Sequence, residues 1–330
     1  MPTSAPQFQF MRRIFFMRFP LSSIAFLLAS TGACLADDAT ATFGNDAFTF
    51  TGAVGLMNIQ AKEYVYMGSH KASQLDWDSK GVTLYSGTAA AELTSEWSVK
   101  ATFDIGANGD GHMVDYDWVP GLYVDTSMDG WSDRSISPDT RLSHCFAGSI
   151  EIARQLLDED GKRFGVNAGF KYSDVKWESF GGSYIYSDTT TRDDIGDFPD
   201  GMRVISYQQK IPVLFLGADG SVDIDRLTIS GGAKGGFTTG IRDIDDHWGT
   251  DTRFHDDMKP APVLMFNVEA AYHMTETASL FVGGTYENVF NRRGDMRSRN
   301  TVTGETDSSK NGAGASFQTM SVKFGLKGTF

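Results

Sequence analysis

Two short segments gather the residues best suited to bond-breaking chemistry. The first is His112-Met113-Val114-Asp115-Tyr116-Asp117-Trp118 and the second is Asp243-Ile244-Asp245-Asp246-His247-Trp248. On an extended chain alternate residues share a face, so Asp115 and Asp117 point together, as do Asp243, Asp245 and His247. A carboxylate two residues before a histidine can orient the imidazole and stabilise its cation, and such a histidine can take a proton from water. A facing pair of carboxylates would hold that water and manage the second proton. Together the clusters could run a hydrolysis without a covalent intermediate. For so acidic a chain the plain alternative is a set of solvated loop carboxylates, which spacing alone favours.

Other constellations carry less. His247 and His255, with Asp251, Asp256 and Asp257, are zinc-ligand types, but no HExxH-type spacing is present and no metal is expected. Ser135 sits in a polar stretch without a local serine-triad signature. Arg293-Gly294-Asp295 spells an adhesion tripeptide, for which chance is the better explanation in a charged loop.

The elements that must position the clusters read as strands. At 41% hydrophobic and 12% aromatic residues, the 330-residue chain is too apolar for a disordered tail. Two cysteines cannot staple it, and a net charge of -13 repels nucleic acid. No segment beyond the N-terminal leader has the 18 consecutive apolar residues of a membrane helix. Instead Leu227, Ile229, Gly231, Ala233, Gly235 and Phe237 alternate with Thr228, Ser230, Gly232, Lys234, Gly236 and Thr238. Phe266, Val268, Ala270 and Tyr272 likewise alternate with Asn267, Glu269, Ala271 and His273. Long period-two runs, apolar on one face and polar on the other, are the pattern of a membrane barrel. Tight turns at 158–162, 223–225 and 275–277 contrast with long polar connections at roughly 181–202 and 291–313. The expected fold is all-β: a single transmembrane antiparallel barrel of about ten strands, extended outside the membrane. The same parity creates a conflict. Carried forward from Leu227, it places Asp243, Asp245 and His247 on the lipid side, so the strand must bulge or twist before reaching them.

The N-terminus reads as a secretory leader over residues 1–36. Arg12, Arg13 and Arg18 precede the apolar run 21–29, and Cys34 and Ala36 form the small pair before cleavage. Thr31-Gly32-Ala33-Cys34 lacks the apolar residue that a lipoprotein site wants at the Thr31 position. The mature barrel would span 37–330, with Cys145 as a lone thiol, buried or lipid-facing. Losing three arginines and no acids takes its charge from -13 to -16, which would gather cationic peptides. The chain ends with Val322, Phe324, Leu326 and Phe330 on one parity, an ending similar to the C-terminal signal of outer-membrane barrels.

Several ordered blocks resemble the omptin family of outer-membrane proteases. They are Ser73-Gln74-Leu75-Asp76-Trp77, Met113–Trp118, Pro138-Asp139-Thr140, Gly181–Ser187, Arg192–Pro199, Asp245-Asp246-His247 and Ser309–Gly314. The resemblance implies a ten-stranded barrel in the outer membrane with its groove at the extracellular end. It implies an aspartic-type endopeptidase in which Asp115 and Asp117 form one side of the site and Asp245 and His247 the other. Asp245 would orient His247, Asp115 would position water and Asp117 would support it. It implies cleavage at basic residues of peptides or host proteins, with Glu63 and Asp243 matching the acids that receive the basic side chain. A carboxylate pair there favours arginine through charge and bidentate hydrogen bonds. No cofactor is implied beyond lipopolysaccharide as activator, with Lys210 and Lys259 matching basic positions that hold it. Asp174 departs from the family at a usually basic position, beside Lys176. Two other functions fit the barrel: a non-enzymatic adhesin that binds host proteins through its long loops, and a passive pore. Ten strands are too few for a wide channel.

Overall fold

The computed structural model describes residues 48–330, so the leader expected at 1–36 lies outside the described residues. The period-two pattern is realised as thirteen strands: β1 (Phe48–Met67), β2 (His70–Glu92), β3 (Trp97–Ala107), β4 (Asp110–Asp117), β5 (Asp133–Glu159), β6 (Lys162–Tyr186) and β7 (Asp194–Ile224). Then follow β8 (Leu227–Thr238), β9 (Arg242–His247), β10 (Thr252–Met258), β11 (Pro262–His273), β12 (Ala278–Asn300) and β13 (Thr306–Thr329).

All pairings between them are antiparallel, and they close two stacked rings. The lower ring runs β1-β2-β3-β5-β6-β7-β8-β11-β12-β13 and returns to β1. The upper ring keeps the long strands but uses β4 in place of β3, β9 in place of β8 and β10 in place of β11. Three barrel strands are thus each broken once, and the fold is a ten-stranded barrel. Closure leaves no unpaired edge.

Connections at the lower end are tight. β5 turns into β6 through Asp160 (φ 51°) and Gly161 (φ 70°), a two-residue hairpin that requires left-handed backbone at both positions. At the upper end the expected long loops are shorter than their sequence suggests. Much of 181–202 and 291–313 is strand, leaving 187–193 and 301–305 as the connections. Polar composition there marks strands that stand in water, not loops.

Around the lower half the outward parity is apolar and exposed: Phe103, Ile150, Phe170, Leu216, Phe237, Phe266, Val282 and Phe324 among others. The inward parity is polar, and several of its charges are paired. Glu151 takes both Lys100 (2.8 Å) and Lys234, Lys171 meets Glu287, and Lys327 meets Glu269 at 2.6 Å. These groups line a lumen cavity of about 660 Å³ that also holds the buried thiol of Cys145.

Above the cavity the interior is filled. Trp77, Trp177 and Tyr207 are fully buried and stacked, with ring centroids 5.6–6.4 Å apart, and Trp177 donates its indole N–H to Ser79 at 2.9 Å. Leu75, Met113, Val175 and Ala315 pack with them. Each large apolar side chain withdrawn from water contributes roughly 1.5–3 kcal/mol. This packed layer gives the site above it a rigid, dry floor.

Candidate active site

The parity conflict is resolved by a single inserted residue. Val213 of β7 faces Thr238 at the end of β8, but Lys210 faces Arg242 at the start of β9. Three steps along β7 therefore match four along the broken strand. A one-residue slip turns every following side chain to the other face. Gly240 makes it possible, with φ at +126° and the Met258 carbonyl 3.2 Å from where a Cβ would lie. Thr238 accepts a hydrogen bond from the Ala261 amide, and the Met258 amide donates to Ile241, both at 2.8 Å. These bonds tie the jog to the neighbouring broken strand. Asp243, Asp245 and His247, which would otherwise face outward, now point into the barrel opposite Gln209, Tyr207 and Ile205.

A second offset serves the other cluster. Met57 faces Val82 but Ile59 faces Ser79, so β2 carries one extra residue against β1. The extra residue lies at Lys80-Gly81, where Gly81 donates its amide to Asn58 at 3.0 Å. The paired strand breaks alongside at Asn108 and Gly109, both left-handed. Above these breaks Leu75 and Trp77 face inward, and with them Asp115 and Asp117, opposite Leu75 and Ser73.

The two clusters meet across the barrel interior, since β4 and β9 are separated in the upper ring by β5, β6 and β7. His247 Nε2 lies 2.5 Å from Asp245 Oδ2; Asp245 is 1% exposed, while the imidazole keeps an edge in solvent at 29%. Phe254 packs edge-on against that ring at 5.3 Å. Burial alone would lower the His247 pKa. Asp245, by charge and hydrogen bond, outweighs this with help from Asp115 and Asp117, and holds the imidazole at about 9. Across the groove Ser73 Oγ donates to Asp115 Oδ1 at 3.3 Å. Burial, then the neighbouring Asp117, pushes the Asp115 carboxyl up; His247 draws it back down. Asp117 is raised to about 6, chiefly by burial, against the Ser73 hydroxyl and His247. Each side of the groove therefore feels the charge of the other.

Beside this groove lies a second acidic enclosure. Glu63 on β1 and Asp243 are 3% and 2% exposed, and burial pushes both carboxyls well up. Tyr207 Oη donates to Asp243 Oδ2 at 3.0 Å, and Gln209 Nε2 donates to Tyr207 Oη at 2.9 Å. Glu63 Oε2, Asp243 Oδ1 and Gln209 Oε1 have no partner.

Asp256 joins them from β10, which the spacing did not reveal. Burial first, then Asp245 and Asp257, raises it to about 8; the Arg297 backbone amide tempers this without completing a hydrogen bond. The roles of Ser73, Tyr207 and Gln209 were also invisible in the sequence: Ser73 and Tyr207 act through cross-strand neighbours, and Gln209 through Tyr207. His255 is exposed on the other face of β10 from Asp256, so the two histidines of the zinc alternative do not converge.

Lys210 and Lys259 are not brought together. Lys210 borders an outer cleft with Arg242, Asp257 and Arg297, whereas Lys259 is exposed and bonded to Asn311. Asp174 accepts from His144 at 2.8 Å and from Gln208 at 2.7 Å, so the acid is held by local partners.

The omptin family model matches residues 44–330. The chain belongs to the omptin family. Protease 7 of Escherichia coli O157:H7 is 32% identical over 323 residues, covering 95% of this chain and all of that protein. The outer membrane protease OmpP of E. coli K12 is 29% identical, covering 93% of this chain and 98% of its own length. The crystal structure of the outer membrane protease OmpT from E. coli superposes with a TM-score of 0.82 at 31% identity. That match covers 88% of this chain and 99% of OmpT. This omptin is thus an outer-membrane β-barrel of a protease family.

Proposed function

We propose that this omptin is an aspartic-type endopeptidase, exposed on the extracellular side, that hydrolyses peptide bonds beside arginine or lysine. Asp115 and Asp117 hold a water opposite His247. Asp245 occupies Nε2 of the ring, leaving Nδ1 to take the water proton as the oxygen attacks the scissile carbonyl. The proton passes to the leaving amine as the C–N bond breaks, so no covalent enzyme intermediate forms. The three carboxylates stabilise the imidazolium produced. They also keep the resting ring protonated until pH approaches 9, so the basic form grows as pH rises. A substrate cation seated beside Asp245 favours the neutral ring further. Glu63 and Asp243 receive the basic side chain.

The observation that carries this reading is the 2.5 Å Asp245–His247 contact facing the Asp115–Asp117 pair, beside buried carboxylates that have no cation of their own. Lys210 and Lys259 are proposed as separate outer contacts for lipopolysaccharide, which activates rather than reacts. Residues 1–36 are proposed as a cleaved leader, checked by N-terminal sequencing of the mature barrel.

The test uses outer membranes carrying the protein with intact lipopolysaccharide, and a quenched-fluorescence peptide with one Arg-Arg bond. Cleavage by wild type, lost in Asp115→Ala and His247→Ala, supports the reading. A folded wild-type barrel that leaves the peptide intact contradicts it and favours a binding role.

A further inference from the structure

The acidic enclosure beside the groove holds more carboxylate than a two-acid pocket needs. Asp256 on β10 stands directly opposite Asp243 on β9 in the antiparallel ladder. Its chain neighbours His255 and Asp257 are exposed, whereas Asp256 is 2% exposed, so its side chain faces inward. Side chains opposite one another in such a pair have Cβ atoms about 4.5–5.5 Å apart, and like charges there destabilise the sheet. Glu63 reaches the same space from β1, Tyr207 and Gln209 from β7, and Asp245 from β9; Asp256 acts electrostatically on Glu63, Asp243 and Tyr207.

Among the described residues no lysine or arginine is ion-paired to Glu63, Asp243 or Asp256. Both oxygens of Asp256 lack a hydrogen-bond partner, as do Glu63 Oε2, Asp243 Oδ1, Asp245 Oδ1 and Gln209 Oε1. Buried polar atoms are otherwise nearly always satisfied, and a buried carboxylate without a cation adds nothing to stability. Among the described residues no three such groups stand in metal-ligating geometry. The missing partner is therefore an organic cation with several N–H donors. A guanidinium has five N–H donors in a planar fork, an ammonium three. A guanidinium can answer five of these six bare oxygens, whereas an ammonium leaves at least three without a donor.

We propose that Asp256 is a third specificity carboxylate of this pocket, and that it fits the pocket to an arginine side chain in preference to lysine. The proposal rests on the reading of Glu63 and Asp243 as the receivers of a basic residue. An acceptor left bare by lysine loses its hydration with no return, which discriminates against the smaller donor set.

The test uses the full-length barrel refolded with lipopolysaccharide and two quenched peptides that differ only in arginine or lysine before the scissile bond. Wild type is expected to prefer arginine. Asp256→Asn is expected to lower kcat/KM for the arginine peptide about tenfold to a hundredfold. The lysine peptide loses less, kcat at saturation stays near wild type, and Asp256→Glu restores part of the preference. In a second measurement n-butylguanidine and n-butylamine compete with substrate on wild type, with the guanidine inhibiting more strongly. An unchanged arginine-to-lysine ratio in folded Asp256→Asn, or equal inhibition by the two probes, overturns the proposal. If Glu63→Gln still weakens both peptides in that case, the basic-residue pocket stands without Asp256. A wild type that cleaves no faster at basic than at neutral residues overturns the pocket and the proposal together.

Discussion

One barrel encloses buried charge in two ways. In the lower lumen each inward carboxylate described above meets a lysine: Glu151 takes Lys100 and Lys234, Glu287 takes Lys171, and Glu269 takes Lys327. In the upper enclosure Glu63, Asp243 and Asp256 are as deeply buried, yet among the described residues none is ion-paired to a lysine or arginine. The packed layer of Trp77, Trp177 and Tyr207 lies between them. Paired charge in the lumen is what a folded interior tolerates; a cluster of unpaired carboxyls is tolerated by keeping protons, or where something else supplies the cation. The contrast marks the lower set as structure and the upper set as a site.

Four expectations would break or sharpen that contrast. The largest concerns the groove itself. His247→Ala or Asp245→Asn should lower kcat by about 10²–10⁴ while the barrel still folds, read on the Arg-Arg peptide beside a gel assay for intact barrel. Next is the lumen. Glu151→Gln leaves two lysines facing each other and should cost about 3 kcal/mol, at the low end for a broken buried pair because Lys100 is 43% exposed. Urea unfolding in detergent would measure this, with cleavage by the folded fraction unchanged. Loss of cleavage without loss of stability would reverse the assignment of the two regions.

The third expectation is the pH dependence. The His247 pKa is raised to about 9, so below that value the ring is protonated and cannot act as base. The wild-type kcat/KM should climb as pH rises toward 9, and Asp245→Asn should move that limb to lower pH, as a stopped-flow pH series would show. A flat profile from pH 6 to 9 would transfer the base role to Asp115 and Asp117. The smallest is a stability effect. Asp256 is raised to about 8, above the value near 3.9 expected for an unfolded aspartate. The folded state therefore keeps a proton that the unfolded state has released, and stability falls as pH rises from about 4 through 8. Asp256→Asn should flatten this slope, measured in the same urea series.

The barrel was legible because its signal is periodic: Leu227–Phe237 and Phe266–Tyr272 write the lipid face directly. The i, i+2 spacing of Asp115 with Asp117, and of Asp245 with His247, was legible for the same reason. The face those residues take was not. It depends on one residue inserted near Gly240 and another at Lys80-Gly81, and an insertion of one leaves no mark in composition while reversing every side chain beyond it. The role of Asp256 was hidden more deeply, since it exists only through the register that sets it opposite Asp243. Polar stretches such as 194–202 and 306–312 read as loops because strands standing in water above a membrane lose the apolar half of their alternation.

The central claim is that the unpartnered carboxylates of the upper barrel await the charge of a substrate side chain. It is tested most directly by replacing the arginine before the scissile bond with citrulline, which keeps the shape and removes the charge. With lipopolysaccharide present, the arginine peptide should be cleaved at least about a hundredfold faster, the scale of one or two charge-assisted hydrogen bonds. Equal rates on the two peptides would contradict the account.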